Sequence, residues 1–292
     1  MASPLRVTLI QLGYGDEESV VDRTARVADL VRSVCAAPPP ESPTGEPPTV
    51  GSPDDSDGRP AAHLVVLPEL WPQTAFEPTR WKDQAEAVDG PVAQAMSALA
   101  AECGILLHAG SIVERLETPG PEGKSLANTS LLFGADGSRI VAYRKIHRFG
   151  FGSVEPQVME AGGEVVLVEL PSGERAALST CYDLRFPELY RRQLDSDASL
   201  FIIPAAWPTA RVAAWTLLGQ ARAIENQCFV LACNTAGTHG GVEMGGHSQV
   251  VAPTGAVLAT AGSGEEILDL VIDLDDVARA RSTFPVLDDR RL

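Results

Sequence analysis

Leu178-Ser179-Thr180-Cys181-Tyr182-Asp183-Leu184-Arg185-Phe186-Pro187-Glu188-Leu189-Tyr190 is the stretch around which the rest of the chain is organised. The mostly apolar run Ala176 to Leu178 reads as a strand climbing into Cys181, and helical spacing begins at Pro187. One thiol therefore stands at a strand-to-helix corner. Such a corner exposes a side chain at the sheet edge and turns free backbone N–H groups toward any anion formed beside it, which is where a nucleophile is useful. Taken alone, a cysteine beside an apolar run reads more simply as a small buried hydrophobe. The flanking sequence has to decide.

Upstream, Leu5 to Leu12 partly alternates and reads as a first strand, and Glu17 to Cys35 carries Val20, Thr24, Val27, Val31 and Val34 at helical intervals. His63 to Leu67 has the continuous apolar character of a strand buried on both faces and delivers Glu69 just past its C-terminal end. Gly90 to Cys103 follows as a helix with Val92, Met96, Leu99 and Ala100 on one face, and Ile105 to Val113 as another strand. Asn128 to Phe133 and Ile140 to Lys145 flank Asp136-Gly137 as a hairpin, which leaves Lys145 at a strand exit. A second hairpin, Val165 to Leu170 with Arg175 to Thr180 around Ser172-Gly173, leads directly into Cys181.

Downstream, Leu200 to Ile203 and Cys228 to Cys233 read as short buried strands, which makes Cys228 and Cys233 core residues. Between them Arg211 to Gln227 reads as an amphipathic helix with Ala214, Leu217, Leu218, Ala221 and Ile224 on its inner face and Arg222 spaced to pair with Glu225. Gly246 to Ala252, Ala256 to Ala261 and Glu265 to Ile272 supply further strands, and Leu274 to Arg281 a last helix. Strands and helices alternate irregularly with hairpins added, so the pattern predicts a layered α/β sandwich rather than a simple doubly wound sheet.

The 292 residues show no internal repeat and one compositional break, so residues 1–292 are expected to form a single domain. The break is a stretch at about 36–62 rich in Pro, Ser, Gly and acidic residues, expected to be a disordered insertion. A formal charge of -16 disfavours nucleic acid and anionic membrane as partners. No apolar run reaches the roughly 18 residues of a membrane span. The five cysteines show no metal-site or disulfide spacing, so no metal is expected, and a reducing, cytoplasmic location fits.

Glu69, Lys145 and Cys181 all lie at the C-terminal ends of predicted strands, and their chemistry is complementary. A thiol needs a base, which a carboxylate in a dry pocket can supply, and a tetrahedral intermediate needs a cation and a backbone N–H beside its oxyanion. Lys145 and the N–H of Tyr182 suit that second task.

The blocks Leu67-Pro68-Glu69-Leu70, Tyr143-Arg144-Lys145-Ile146-His147 and Cys181-Tyr182-Asp183-Leu184-Arg185-Phe186-Pro187-Glu188 resemble, in order and placement, the three signature blocks of the nitrilase (carbon-nitrogen hydrolase) superfamily. The resemblance extends to Ala221-Arg222-Ala223-Ile224-Glu225-Asn226-Gln227 and Asn234. It implies a four-layer αββα sandwich, a homodimer or higher homo-oligomer, and cofactor-independent chemistry. Glu69 is then the general base, Lys145 the oxyanion stabiliser and Cys181 the residue that forms a thioester. A second glutamate falls at Glu155 rather than Glu160, because Gly162 follows at the family's spacing.

The cysteine block is closest to the amidase branch that includes ω-amidase and deaminated-glutathione amidase. The expected activity is therefore hydrolysis of a small linear, carboxylate-bearing amide with release of ammonia. A nitrilase or an N-carbamoyl amino acid amidohydrolase is the alternative, and a non-catalytic binding protein on the same fold the most distant one. Tyr182, Trp207 and Arg211 are the candidates for contact with the small-molecule substrate. Arg211 is suited to a carboxylate because a guanidinium pairs with it in bidentate fashion.

Overall fold

Along Leu5-Arg6-Val7-Thr8-Leu9-Ile10 the side chains alternate between two faces, as a pleated strand requires, and both faces are covered: Leu5, Val7 and Leu9 enter one core and Ile10 another. The structure, a computed structural model, describes residues 4–40 and 62–291. The insertion expected at about 36–62 falls mostly on residues 41–61, outside the described residues.

The first sheet contains β1 (Pro4–Gln11), β2 (Ala62–Val66), β3 (Leu106–Arg115), β4 (Leu126–Phe133) and β5 (Arg139–Arg144) side by side, with the late strand Glu266–Asp273 on the far side of β1 and the short Met159–Glu160 on β4. β1, β2 and β3 run parallel, the flanking long strands pair antiparallel, and the short Met159–Glu160 runs parallel to β4. The second sheet is built from β6 (Leu167–Glu169), β7 (Arg175–Leu178), β8 (Ala198–Pro204), β9 (Phe229–Cys233), β10 (Gln249–Val251) and β11 (Val257–Thr260), in the order β11-β10-β9-β8-β7-β6. Here β7, β8 and β9 are the parallel core.

Helices α1 (Val20–Ala36) and α2 (Pro91–Cys103) cover the outer face of the first sheet, meeting Ile10, Val65 and Leu107 with Val27, Val31, Met96 and Leu99. Helices α3 (Pro187–Leu194) and α4 (Val212–Asn226) cover the outer face of the second, where Leu189, Tyr190 and Trp215 pack on Phe201, Ile203 and Val230. Between the sheets the inward-facing side chains of both merge into one apolar layer that includes Leu9, Leu64, Val66, Leu178, Ile202 and Leu231. The result is the expected αββα sandwich. Because the parallel strands of both sheets are buried on two faces, their carboxyl ends are free to present polar side chains at one rim.

The helix expected over Arg211 to Gln227 forms, but with a different face inward. Trp215, Gly219, Arg222, Ala223 and Asn226 are buried, while Leu217 and Ile224 are 67% and 55% exposed. Gly219 lets the helix approach β10 so closely that a Cβ there would lie 2.2 Å from the Gln249 amide nitrogen. Arg222 tolerates burial because it donates to the Leu184 carbonyl at 2.8 and 3.1 Å and to Glu225 at 2.8 Å. Hydropathy reads such a satisfied arginine as a surface residue. Small elements absent from the sequence reading include the helix Pro78–Gln84, which buries Trp81, the short helix Glu155–Val158, and a three-stranded ribbon of Gly13–Tyr14, Ala236–His239 and Val242–Glu243.

Candidate active site

Three chain segments reach the same rim. After β2 the chain passes Leu67 and Pro68 to Glu69, whose position is fixed by the left-handed Leu70 (φ 45°) and by the Leu70 N–H donating to Ser111 Oγ at 3.0 Å. Close approach of β3 to this loop depends on Gly110, where a Cβ would fall 1.9 Å from the Pro68 carbonyl oxygen. Lys145 is the first residue after β5, with its N–H on the Asn128 carbonyl and its own carbonyl on the Gly162 N–H, both at 2.9 Å. Beyond β7 the chain tightens into a 3₁₀ turn, Cys181–Arg185, and its first residue is held at φ 49°. That left-handed conformation, uncommon for a residue with a side chain, turns the thiol off the sheet into the pocket.

The side chains converge. Lys145 Nζ donates to Glu69 Oε1 at 2.8 Å and to Glu155 Oε1 and Oε2 at 3.0 and 3.1 Å. Asn128 Nδ2 bridges the same two carboxylates, at 2.8 Å to Glu69 and 3.1 Å to Glu155. The other oxygen of Glu69 accepts the Ala206 N–H at 2.9 Å, and the Cys181 thiol points to the Ala206 carbonyl at 3.9 Å, within the field of the Glu69 charge. Glu69, Lys145, Glu155 and Cys181 are all buried.

Burial pushes the Cys181 thiol well above its usual pKa, the negative charge of Glu69 adds to this, and Lys145 opposes it. Burial alone would lower Lys145, but the charges of Glu155 and Glu69 outweigh it and hold the ammonium well above the ordinary lysine range. Burial raises Glu155, with Lys145 pulling it back and Glu69 reinforcing the rise. The resting site thus holds a neutral thiol and a firmly charged ammonium, with the Glu69 carboxylate near enough for its charge to act on the thiol. In such a site a proton leaves sulfur for the carboxylate as the sulfur attacks, rather than beforehand.

Tyr182, Trp207 and Arg211 all line the same pocket, with Leu70, Phe149 and Arg185 among their neighbours. The Ala206-Trp207 segment is fixed by Asn234, which accepts the Trp207 N–H at 2.6 Å and donates to the Trp207 and Gly246 carbonyls. Among the described residues neither Arg185 nor Arg211 has a carboxylate partner. Arg185 lies over the Trp207 ring at 4.8 Å, and Arg211 over Phe149 at 5.2 Å and Phe151 at 5.8 Å. Sequence reasoning singles out neither Arg185 nor Phe149, and it weighs Asn128 as a pocket residue but favours an ordinary strand-start asparagine. The one available signal for Arg185 is its place in the same short turn as Cys181. Glu160, the rejected second glutamate, is elsewhere, receiving the N–H groups of Glu122 and Lys124 at 2.8 and 3.1 Å. Among the described residues no group of three or more His, Cys, Asp or Glu side chains could hold a metal ion, and no helix is long and apolar enough to cross a membrane.

An αββα sandwich with a glutamate, a lysine and a cysteine meeting at one sheet rim defines a thiol-dependent hydrolase of the nitrilase type. The model of the carbon-nitrogen hydrolase family matches residues 6–282, and the chain belongs to that family. It is 40% identical over 290 residues to a 2-oxoglutaramate amidase of Paenarthrobacter nicotinovorans, covering 98% of this chain and 90% of the relative. To the omega-amidase NIT2 of Mus musculus it is 32% identical over 297 residues, covering 99% and 96%. Among solved structures, a CN-hydrolase superfamily protein from Xanthomonas campestris, crystallised with an arsenic adduct in its active site, superposes with a TM-score of 0.82 at 29% identity over 99% of this chain and 98% of the other.

Proposed function

We propose that this chain hydrolyses the terminal amide of a short, linear, carboxylate-bearing substrate, releasing ammonia through a thioester on Cys181. The observation that carries the substrate class is the pair of arginines in the pocket, both without a carboxylate partner among the described residues in a chain of net charge -16. The relatives described as 2-oxoglutaramate amidase and omega-amidase support the same class, since such substrates bear an amide at one end and a carboxylate at the other.

In this reading Glu69 removes the Sγ proton as sulfur adds to the amide carbon. The oxyanion forms between the Lys145 ammonium and the Tyr182 N–H, which as part of the first turn of a 3₁₀ helix has no acceptor within it. Glu69-H then protonates the departing nitrogen, the C–N bond breaks and ammonia leaves. Water enters, gives its proton to Glu69 and attacks the thioester carbon. Collapse breaks the C–S bond, and the proton on Glu69 returns to sulfur as the acid departs. Glu155 holds Lys145 in line throughout. Arg185, and Arg211 for longer substrates, receive the distal carboxylate.

A panel of 2-oxoglutaramate, deaminated glutathione, aliphatic nitriles and N-carbamoyl amino acids, read by ammonia release and acid formation, tests this. Turnover of the carboxylate-bearing amides supports it, and turnover of nitriles or carbamoyl compounds alone replaces it with the corresponding alternative. We further propose a homodimer that covers the exposed Leu217 and Ile224 of α4, and a reducing cytoplasmic setting in keeping with five free cysteines. Sedimentation of wild type against Leu217→Asp tests the former.

A further inference from the structure

We infer that Asp183 is a positioning residue: its buried carboxylate ties the loop that carries Lys145 to the turn that carries Cys181 and thereby sets how ammonium and sulfur face the reacting carbonyl. The inference deepens the proposed amidase reading and rests on it.

Asp183 is 0% exposed and accepts four hydrogen bonds. Its Oδ2 takes the Tyr143 hydroxyl at 2.7 Å and the Thr180 N–H at 2.9 Å, and its Oδ1 takes the His147 N–H at 2.9 Å and His147 Nδ1 at 2.8 Å. Tyr143 and His147 stand two residues before and two residues after Lys145. Thr180 immediately precedes Cys181, and Asp183 itself follows it by two. All four donors therefore come from the two segments that deliver the ammonium and the thiol, which a carboxylate placed only to cap a turn would not require. The His147 ring also stacks on Phe186 at 3.8 Å and 8°, so the lysine loop is pressed against the far end of the same turn. Burial, reinforced by the adjacent Asp183 charge, raises the Tyr143 phenol well above its usual range and keeps it a donor.

An ionised carboxylate offers acceptors only, and here both oxygens are doubly used. An asparagine cannot reproduce this: its NH₂ group would face a backbone N–H whichever way it turned, that of His147 or that of Thr180. One backbone N–H would lose its acceptor, and the left-handed backbone at Cys181, which persists only while its surroundings over-determine it, would relax. The segment Lys145 occupies and the turn Cys181 occupies would then move independently.

The test compares wild type with Asp183→Asn and Tyr143→Phe, measuring kcat and KM on the best amide, alkylation of Cys181 by acrylamide, and melting. Asp183→Asn is expected to lower kcat by about 100-fold, the scale of a small misplacement of reacting groups, with KM within about threefold and acrylamide alkylation slowed. Tyr143→Phe, which removes one donor, should lower kcat by about tenfold. A folded Asp183→Asn variant with kcat within about twofold of wild type, or a loss confined to KM, overturns the inference. If Asp183→Asn fails to fold, Tyr143→Phe with unchanged kcat and alkylation overturns it equally. Alkylation by acrylamide needs no amide substrate, so a wrong substrate assignment leaves this readout intact and the two failures are distinguishable.

Discussion

Cys181 and Cys233 are two thiols at the carboxyl ends of parallel strands in one sheet, three residues beyond β7 and at the last residue of β9. Burial raises both above the ordinary thiol pKa. Cys233 is 0% exposed in the apolar core, and its thiol points to the Ile10 and Val66 carbonyls at 3.4 Å. Cys181 is 8% exposed, lines the pocket and has a carboxylate and an ammonium within its field. Burial and strand-end position therefore do not distinguish a reactive thiol. In the proposed mechanism a base whose charge reaches the sulfur, a cation for the oxyanion and a backbone turned outward at φ 49° do.

The largest expected effect separates the two cysteines outright. Cys181→Ala should lower ammonia release by ~10⁴-fold or more, and Cys233→Ala should leave kcat within about twofold while costing ~1–2 kcal/mol in urea unfolding. Next, Glu69→Gln takes away the base that Cys233 lacks, and kcat should fall ~10³-fold with the fold retained by circular dichroism. Arg185→Ala sharpens the comparison on the binding side: KM for a carboxylate-bearing amide should rise about tenfold or more, with a smaller change for an uncharged amide of equal length.

A smaller effect concerns protonation. Both thiols are held neutral at rest, so iodoacetamide labelling of Cys181 should climb from about pH 7 to about pH 10 instead of reaching a plateau near 7, and Cys233 should label only on unfolding. Mass mapping at each pH reads this directly.

The smallest prediction bears on the frame shared by the two cysteines. His63 and His108 are pushed down to about 4 by burial, Arg6 adding to the effect at His63. The unfolded chain binds protons at these imidazoles below its own pKa of about 6.5 while the folded chain does not, so stability falls as pH drops from about 6.5 to about 4. Glu155 has its pKa raised and works in the opposite direction. Urea midpoints at about pH 7, 5.5 and 4.5 should decline in that order, and a midpoint that rises toward the acid end would put the histidines in the wrong environment.

Much of the architecture was legible because strand and helix periods are local. The strand exits at Glu69, Lys145 and Cys181 follow from apolar runs ended by Pro, a hairpin turn and a change of period. What was not legible depends on partners remote in sequence. Asn128 looks like an ordinary strand residue until Glu69, 59 positions away, is found on its amide. The inner face of α4 escapes hydropathy because the burial of Arg222 is supported by the Leu184 carbonyl, 38 positions away, and because Gly219 packs by having no side chain. Asp183 stood in the quoted motif, yet its link to Tyr143 and His147 spans 40 and 36 positions.

The central claim is that carbon becomes bonded to Cys181 Sγ during turnover. Wild-type protein mixed with 2-oxoglutaramate, quenched in acid during the steady state and digested, should yield the Cys181 peptide carrying the acyl group of the substrate less ammonia, with the Cys233 peptide unmodified. Ammonia released at the full rate with Cys181 unmodified, and undiminished in Cys181→Ala, would contradict the account.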